Sequence, residues 1–296
     1  MADNAIGLIG LGLVGSALFE RFRTAGFQVC GYDIDTAAIE ALREKGLRTC
    51  RSPREVAKRA RRTLLSLPNS NIVDLVVEGP DGILESARPQ DILIDTTTAD
   101  PEMSTALASR LRAEDIYLLD ATILGSSQQI RDGDVLVTAG GDTDILNDCG
   151  DIFSAFARKI FHLGPNGKGA EAKLILNLVL GLNRLVLAEG LVLGRKAGVD
   201  LSVLLDVLKE GSAYSRVMDV KGDKMIHGDF TPQARLAQHL KDVDLILDLG
   251  ARTETPLPLS TLHAQLLRSG VASGFGEEDN SAILKVLQKM ADILPP

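Results

Sequence analysis

The chain has 296 residues, of which 45% are hydrophobic, and its formal net charge is −8 at pH 7. This length accommodates about two domains of ordinary size, each with its own hydrophobic core. The acidic balance argues against nucleic acid as the main partner, because such binding depends on lysines and arginines that neutralise phosphates. The three cysteines, Cys30, Cys50 and Cys149, lack metal-like spacing and are too few for a disulfide framework, which fits a reducing compartment.

The chain shows no pattern typical of export or membrane insertion. Its first residues, MADNA, carry no basic segment of the kind that opens a secretion signal. The longest apolar stretch, residues 174–194, has the length of a membrane span, but Asn177, Asn183, Arg184 and Glu189 interrupt it. We therefore expect a buried core helix at this stretch, no membrane partner and a cytoplasmic location.

Two halves of the chain have different patterns. Up to about residue 163, apolar runs rich in strand-forming residues alternate with helical segments; the runs are AIGLI, FQVCGY, RTLLSL, DILID, IYLLD, VLVTA and KIFHL. This alternation predicts a mainly parallel sheet with helices on both faces. After the segment GPNGKG, residues 164–169, apolar residues recur at helical spacing almost throughout, which predicts an all-helical second half.

The first predicted strand runs directly into a G-x-G-x-x-G loop and then into a helical pattern. The second predicted strand ends at Asp33, eighteen residues after Gly15. Such a unit brings a dinucleotide pyrophosphate against the N–H groups that open the helix, and the acidic residue binds the ribose hydroxyls. The alternative is a nucleotide-free unit whose glycines only tighten the turn. The predicted cofactor-binding residues here are Gly10, Leu11, Gly12, Leu13, Val14, Gly15 and Asp33.

The residues at the end of the second strand favour NAD over NADP. The carboxylate of Asp33 would accept a hydrogen bond from a ribose 2′-hydroxyl but would repel a 2′-phosphate. Ile34 follows, where an enzyme that binds the phosphate would use arginine. The alternative is that Asp33 only caps the strand end.

A polar stripe runs along the apolar helix predicted in the second half. Lys173, Asn177, Gly181 and Arg184 fall within about 80° of one another on such a helix. Polar groups on a buried helix must be hydrogen-bonded or hydrated, and a lysine and an asparagine one turn apart can hold a substrate oxygen and a neighbouring anionic group. The alternative is that Lys173 is a surface residue at a helix start.

Together these features resemble the β-hydroxyacid dehydrogenase family, over essentially the whole chain. The family includes 3-hydroxyisobutyrate dehydrogenase, tartronate semialdehyde reductase and 6-phosphogluconate dehydrogenase. The matching segments follow the family's order: GLIGLGLVGSAL at 7–18, LPNS at 67–70, DTTTADP at 95–101, GKGAEAKLILN at 167–177, LKDVDL at 240–245 and GEEDNSA at 276–282.

The resemblance implies a fold and a set of site residues. The fold is an N-terminal Rossmann domain with a doubly wound, mainly parallel sheet over residues 1–164, a long interdomain helix, and an all-α C-terminal domain over residues 165–296. The active site would lie in the cleft between the domains, and the helical domain would mediate a homodimer or homotetramer. The roles implied are cofactor binding by Leu67, Pro68, Thr98 and Lys241, catalysis by Lys173, and substrate binding by Asn177.

The chemistry of hydride transfer agrees with a lysine at the site. Oxidation of an alcohol needs a group that takes the hydroxyl proton, and the positive ring of NAD⁺ favours a neutral, basic Lys173. In the reverse direction a protonated Lys173 can act as general acid and polarise the carbonyl. Of the four histidines, His162 lies in an apolar strand and is predicted to be core, and only His239, close to Lys241, is a candidate for the site. No metal-ligand arrangement stands out.

One segment departs from the family's pattern. After the sixth strand the family carries D-A-P-V-S-G-G, a loop that holds the substrate carboxylate, whereas this chain has DATILGSS at 120–127. Leu124 stands for the serine, Ser126 for the second glycine and Thr122 for the proline, so we expect a weaker anion site. The residues of this segment predicted to bind substrate are Thr122, Leu124, Gly125 and Ser126.

Three functions remain open from the sequence. The first is an NAD-dependent dehydrogenase or reductase acting on a small hydroxy acid or semialdehyde. The second is an imine-reducing relative, which the altered loop favours and Lys173 opposes. The third is a non-catalytic dinucleotide-binding scaffold, which the Lys173 and Asn177 pair and the negative charge oppose.

Overall fold

The computed structural model describes residues 4–293. Two compact units divide the chain, the first ending at Lys173 and the second beginning at Leu174.

The first unit is built on an eight-stranded sheet. Its spatial order is β3-β2-β1-β4-β5-β6-β7-β8, and all neighbours are parallel except β6 and β7. The predicted doubly wound, mainly parallel sheet is therefore confirmed, with one short strand, β3, that the hydrophobic pattern does not reveal. The strands are β1 Ala5–Ile9, β2 Gln28–Tyr32, β3 Arg48–Thr49, β4 Arg62–Leu65, β5 Ile92–Asp95, β6 Tyr117–Leu124, β7 Val135–Gly140 and β8 Ala157–His162.

Helices cover both faces of this sheet, and many begin at a side-chain cap. Asp35, Asn69 and Asp100, for example, each accept a hydrogen bond from a backbone N–H in the first turn that follows. One buried core is rich in phenylalanine, and the other joins the aliphatic side chains of the opposite face. The helices are α1 Leu13–Thr24, α2 Thr36–Arg43, α3 Pro53–Arg59, α4 Ser70–Glu78, α5 Pro101–Ala113, α6 Ser127–Asp132, α7 Thr143–Asp148 and α8 Gly150–Ser154.

The strand order reverses between β1 and β4. From β1 the chain moves outward to β2 and β3, and it then returns to place β4 on the other side of β1. In open parallel sheets ligands bind at the carboxyl ends of the strands beside such a reversal. The carboxyl ends of β1, β4, β5 and β6 therefore define the edge at which a site is expected.

The second unit is helical, as predicted. Its core is formed by leucines, valines and methionines from helices that pack side by side. The helices are α9 Lys168–Lys196, whose first turns belong to the first unit, α10 Leu201–Glu210, α11 Arg216–His227, α12 Leu236–Arg252, α13 Pro258–Ala272 and α14 Ile283–Met290.

The prediction that α9 is a buried core helix is wrong. Only 39% of its most apolar 18-residue window is buried. Val179, Val186 and Leu193, among others, are exposed, because the helix packs along one polar stripe and part of its apolar surface rather than on all sides. By length and composition alone, α9 could cross a membrane.

Candidate active site

A side chain at each of the three glycines of the first loop would have a different steric consequence. Gly10 has a φ of +92°, and a Cβ there would lie 2.1 Å from the backbone oxygen of Ser66. A Cβ on Gly15 would lie 1.9 Å from the oxygen of Gly10, so helix α1 can approach the strand end only without one. A Cβ on Gly12 would meet no atom within 4 Å. Gly12 therefore borders open space, as expected for the side that a pyrophosphate approaches.

The start of α1 leaves its backbone donors available to an anion. Gly12 is the N-cap and brings no side chain to the first turn, which begins at the exposed Leu13. N–H groups in this position, together with the helix dipole, favour a phosphate. Val14 is half-buried and packs against the core, whereas Leu11 is 2% exposed and its N–H donates to Asp33. Leu11 thus shapes the loop more than it offers a contact.

Asp33 connects the end of β2 to the glycine loop. Its Oδ2 accepts a hydrogen bond from the N–H of Leu11 at 2.6 Å, and its Oδ1 accepts one from the N–H of Asp35 at 2.9 Å. A carboxylate has about four acceptor sites, so two remain for ribose hydroxyls. Asp33 can therefore cap the strand end and bind ribose hydroxyls at the same time, although the sequence presents these two roles as alternatives. Ile34 is 88% exposed beside it.

The next two strands add residues to the same edge of the sheet. Leu67 and Pro68 follow β4, and Thr98 follows β5. The N–H of Leu67 donates to the Oγ1 of Thr97 at 3.2 Å, which joins the two segments. The structure thus brings the predicted cofactor residues of the first unit together at the carboxyl ends of β1, β2, β4 and β5.

The segment predicted as a loop after the sixth strand is mostly strand. β6 continues through Leu124, because its residues from Asp120 to Leu124 pair with the antiparallel strand β7. Gly125 makes the turn, and Ser126 is the N-cap of α6, accepting from the N–H of Gln129. The expectation of an open substrate loop over 120–127 is therefore wrong, and the turn proper begins at Gly125.

Thr122 lies inside the first unit. It is 1% exposed, and its Oγ1 is 2.7 Å from the Oγ1 of Thr138. Both hydroxyls face the backbone oxygen of Gly169, at 3.4 and 3.1 Å. In this structure Thr122 supports the first turn of α9.

Asp120, to which the sequence assigned no role, anchors the start of that helix. Its buried carboxylate accepts the N–H groups of Gly167 and Ala170, both at 3.0 Å, where the positive end of the helix dipole lies. Burial raises the pKa of Asp120, and these hydrogen bonds oppose that rise. A Cβ on Gly169 would lie 2.4 Å from the oxygen of Asp120. The two glycines of GKGAEAK thus allow α9 to begin against β6.

This anchor fixes where Lys173 lies. Its Nζ donates to the backbone oxygen of Ile123 at 2.7 Å, and the side chain is half-buried. Ile123 directly precedes Leu124 and Gly125 at the carboxyl end of β6. The ammonium group therefore lies beside the residues that the sequence assigns to the substrate, at the same sheet edge as the glycine loop.

In the second unit, Asp242 joins two further predicted site residues. The Nδ2 of Asn177 donates to its Oδ2 at 3.1 Å, and the Nζ of Lys241 is 3.4 Å from its Oδ1. Asn177 is 7% exposed and Asp242 is also buried. Asp242 belongs to the LKDVDL segment, which resembles the family, but the sequence alone indicates no role for it.

Within residues 4–293 the histidines do not form an acid–base relay. His162 was predicted as core, but it is exposed on the edge strand β8, where its Nε2 lies 2.9 Å from the oxygen of Gly141. His239 and His263 are buried, with ring centroids 5.2 Å apart. Burial and the charge of Arg184 lower the pKa of His239, and lower that of His263 to about 4. Both are therefore neutral at physiological pH.

Family models match both halves of the chain. Residues 5–164 match the NAD-binding domain of 6-phosphogluconate dehydrogenase. Residues 167–287 match the family described as NAD-binding of NADP-dependent 3-hydroxyisobutyrate dehydrogenase.

Two relatives named as dehydrogenases and one solved structure match over nearly their full length. The chain is 30% identical to 2-(hydroxymethyl)glutarate dehydrogenase of Eubacterium barkeri, over 97% of this chain and 96% of that protein. It is 29% identical to L-threonate dehydrogenase of Cupriavidus necator, over 95% of each. The crystal structure of 3-hydroxyisobutyrate dehydrogenase from Salmonella typhimurium superimposes with a TM-score of 0.87 at 25% identity, over 95% of this chain and 99% of that one.

These matches agree with the site geometry. The open glycine at the start of α1 and the strand-order reversal beside it have the geometry expected of a dinucleotide site. The predicted family, enzyme class and nicotinamide cofactor are confirmed, while the roles of individual site residues stay predictions. The chain belongs to the β-hydroxyacid dehydrogenase family of NAD(P)-dependent oxidoreductases that act on CH–OH groups.

Proposed function

We propose that this enzyme transfers hydride between NAD(H) and a small hydroxy acid or its semialdehyde, with Lys173 as general acid and base. One observation carries the proposal: the Nζ of Lys173 is 2.7 Å from the oxygen of Ile123, at the carboxyl end of β6. A substrate oxygen that took the place of this carbonyl as acceptor would be within hydrogen-bond reach of the ammonium group.

The nicotinamide cofactor, when bound, supplies or accepts the hydride. In reduction, protonated Lys173 donates a hydrogen bond to the substrate carbonyl, which stabilises the negative charge that develops on oxygen, and then gives that oxygen its proton. In oxidation, neutral Lys173 takes the hydroxyl proton. The amide of Asn177, one turn further along α9, holds the same substrate by a hydrogen bond.

The substrate proposed is bulkier or less charged than 3-hydroxyisobutyrate or tartronate semialdehyde. Leu124 contributes an apolar side chain where the family has a serine donor. The Oγ of Ser126 accepts the N–H of Gln129 at 3.3 Å, which holds this side chain at the start of α6. Two relatives, named for 2-(hydroxymethyl)glutarate and L-threonate, support a hydroxy acid as substrate. Because these two compounds differ from each other, we propose that the segment at Leu124 and Ser126 determines the size of the substrate here.

The same proposal includes NAD as the preferred cofactor, a homodimer or homotetramer, and a cytoplasmic location. Asp33 supports NAD, because its carboxylate would repel a 2′-phosphate. The exposed apolar residues Val179, Val186 and Leu193 of α9, with Val203 and Val207 of α10, support an interface between copies of the chain.

An NADH-consumption screen tests the function. We would assay short semialdehydes, keto acids and cyclic imines with the wild type and with Lys173→Ala. Turnover of a semialdehyde or keto acid that Lys173→Ala abolishes supports the proposal. Turnover confined to cyclic imines would replace it with imine reduction, and NADH binding without any turnover would replace it with a scaffold role.

A further inference from the structure

Two threonines face each other inside the first unit, where β6 and β7 pair. Thr122 and Thr138 lie directly opposite in the register of these strands, and they are 1% and 6% exposed. A hydroxyl group in an apolar core is costly unless it is hydrogen-bonded, so each of the two hydroxyl protons needs an acceptor. The chain neighbours of the two threonines all belong to the hydrophobic core: Ala121, Ile123, Val137 and Ala139.

The two hydroxyl groups cannot satisfy each other completely. Their Oγ1 atoms are 2.7 Å apart, and this hydrogen bond uses one of the two protons. The other proton needs a different acceptor, and the backbone oxygen of Gly169 lies 3.1 Å from the Oγ1 of Thr138 and 3.4 Å from that of Thr122. The shorter distance favours an arrangement in which Thr122 donates to Thr138 and Thr138 donates to Gly169.

The carbonyl group of Gly169 is also the helix acceptor for Lys173. In an α-helix the N–H of each residue donates to the oxygen four residues earlier, and both residues lie in α9. The N–H of Ala170, which belongs to the same peptide unit as that carbonyl, donates to the Oδ2 of Asp120 at 3.0 Å. A peptide unit is planar and rigid. Because β7 holds its oxygen and β6 holds its N–H, the direction in which the first turn of α9 leaves the sheet is fixed.

Lys173 is therefore held against the same two strands at both of its ends. Its main-chain N–H is bonded to the carbonyl that Thr138 holds. Its Nζ donates at 2.7 Å to the oxygen of Ile123, the residue after Thr122 in β6. A shift of the first turn of α9 would move the Nζ relative to the carboxyl end of β6. Proton transfer requires the acid or base to lie within hydrogen-bond reach of the reacting oxygen, so such a shift would lower the rate.

We propose that the hydroxyl pair of Thr122 and Thr138 positions Lys173, because it holds the carbonyl of Gly169 and so sets where the first turn of α9 lies against β6. Both threonines are positioning residues that act through the helix. Thr122, predicted from the sequence to bind substrate, thus has an indirect part in the reaction. The role of Lys173 in proton transfer rests on the proposed function, whereas the hold on α9 is a property of the ligand-free protein.

The first experiment measures hydrogen exchange at the backbone amide of Lys173 by NMR in the ligand-free enzyme. In Thr138→Val, which loses the hydroxyl, we expect this amide to exchange about tenfold faster relative to the amides of α5, and in Thr138→Ser at close to the wild-type rate. Thr24→Val is the matched control, because Thr24 also donates to a helix carbonyl, that of Glu20 in α1. An unchanged rate in Thr138→Val would overturn the proposal, whatever the turnover.

The second experiment asks whether this hold acts through Lys173. We expect Thr138→Val to lower kcat about tenfold while the Kd for NADH stays within about twofold, and Thr138→Ser to recover most of the loss. Thr24→Val should leave kcat unchanged. Adding Thr138→Val to Lys173→Ala should cause little further loss, because the threonine acts only through the lysine. Fully additive losses would contradict the proposal.

Failure of a variant and failure of the proposed function give different results. If Thr138→Val does not fold, Thr138→Cys takes its place, since it differs from Thr138→Ser only by a thiol, which is a weak donor. Wild-type exchange and kcat in Thr138→Cys would then overturn the proposal. If no carbonyl substrate is turned over but the amide of Lys173 responds as expected, the proposed function fails while the hold on α9 stands. If Lys173→Ala abolishes turnover and Thr138→Val leaves kcat unchanged, the proposed function stands and this inference fails.

Discussion

The glycine loop of the first unit and the buried polar cluster of the second unit, which contains Arg184, Lys221 and Asp279, use different sources of charge. The loop uses backbone N–H groups at the start of α1, which need only the absence of side chains at Gly12 and Gly15. The cluster buries whole charged side chains, Arg184, Lys221 and Asp279 among them. A backbone site therefore costs little desolvation, whereas a side-chain cluster must balance every charge it buries.

The difference also decides how each region responds to substitution. In the loop, a Cβ added at Gly12 would contact no atom within 4 Å, whereas a Cβ added at Gly15 would lie 1.9 Å from the backbone oxygen of Gly10. In the cluster, removing one partner leaves another charge buried and unpaired. We therefore expect stability to depend most on the cluster, and cofactor affinity most on the loop.

The largest effect is expected for Lys221→Met. It leaves the buried carboxylate of Asp279 without its cation, and breaking such a pair costs about 3–5 kcal/mol in the free energy of unfolding. Denaturant unfolding measures this, with Lys168→Met as the control, because Lys168 pairs with Glu171 on the exposed surface and should matter by less than about 1 kcal/mol. Equal losses in the two variants would contradict the contrast between the cluster and the surface.

The pH dependence of the same variant gives an independent check. The ammonium of Lys221 and the other hydrogen bonds lower the pKa of Asp279, against the effect of burial. Its contribution to stability is therefore present above the unfolded-state value of about 3.9 and is lost as pH falls through the folded-state value. In Lys221→Met the buried carboxyl group prefers to be neutral, so the stability gap between wild type and variant should narrow in acid.

The next largest effect concerns the junction of β6 and α9. Lys173→Ala should lower kcat by about 10²-fold or more, the scale of a lost acid–base group, while the Kd for NADH changes little. Stopped-flow kinetics and NADH fluorescence separate the two quantities. Lys168→Ala, on the first turn of the same helix, is the matched control. Near-normal turnover in Lys173→Ala would remove this lysine from the mechanism.

The loop could be predicted from the sequence because its geometry is local. Gly10, Gly12 and Gly15 lie within six consecutive positions, and the alternation of strands and helices supplies their context. The roles of Asp120 and Thr122 could not, since they depend on Gly167 and Gly169, whose backbone reaches them only after α9 packs against β6. No local pattern encodes such a pairing.

The cluster was predicted only in part. The stripe from Lys173 to Arg184 is visible from helical spacing, but the charged groups that act on Arg184 lie on α11, α12 and the segment at Asp279. The predicted burial of α9 was wrong for a related reason. Apolar residues on all sides of a helix do not tell which side other parts of the same chain cover, and here the chain leaves Val186 and Leu193 exposed.

A change at the end of β2 tests the loop by charge. Asp33→Asn with Ile34→Arg keeps an acceptor oxygen for one of the N–H groups of Leu11 and Asp35 and gives up the other, removes the negative charge and adds a guanidinium for a 2′-phosphate. We expect the ratio of kcat/KM for NADPH over NADH to rise about 30- to 100-fold. A wild type that already prefers NADPH would contradict the role given to Asp33.

A single methyl group tests the loop by shape. Gly12→Ala should fold normally, because its Cβ meets no atom within 4 Å, yet weaken NADH binding about tenfold by standing where the pyrophosphate approaches. Gly15→Ala should instead lower the unfolding temperature, because its Cβ meets the oxygen of Gly10. Titration of NADH together with thermal unfolding separates the two, and a Gly12→Ala variant that binds normally would place the pyrophosphate elsewhere.

The smallest effect is expected where the chain departs from its family, at the end of β6. Leu124→Ser restores a hydroxyl donor, and Ser126→Gly removes a Cβ at the cost of the α6 cap, which for glycine is only a few tenths of a kcal/mol. One hydrogen bond to a carboxylate is worth about 1.5–3 kcal/mol, but the new serine must give up rotamer freedom and water to make it. We therefore expect kcat/KM for 3-hydroxyisobutyrate and tartronate semialdehyde to rise about three- to tenfold, while activity on bulkier carbonyl substrates falls.

Because β7 pairs with β6 as far as Leu124, the double substitution should leave the strand and the hydrogen bond from Lys173 to Ile123 in place. A wild type already efficient on the small acids would mean that another group, such as Lys241 or Ser127, binds the carboxylate, and Leu124 would then have no part in choosing the substrate.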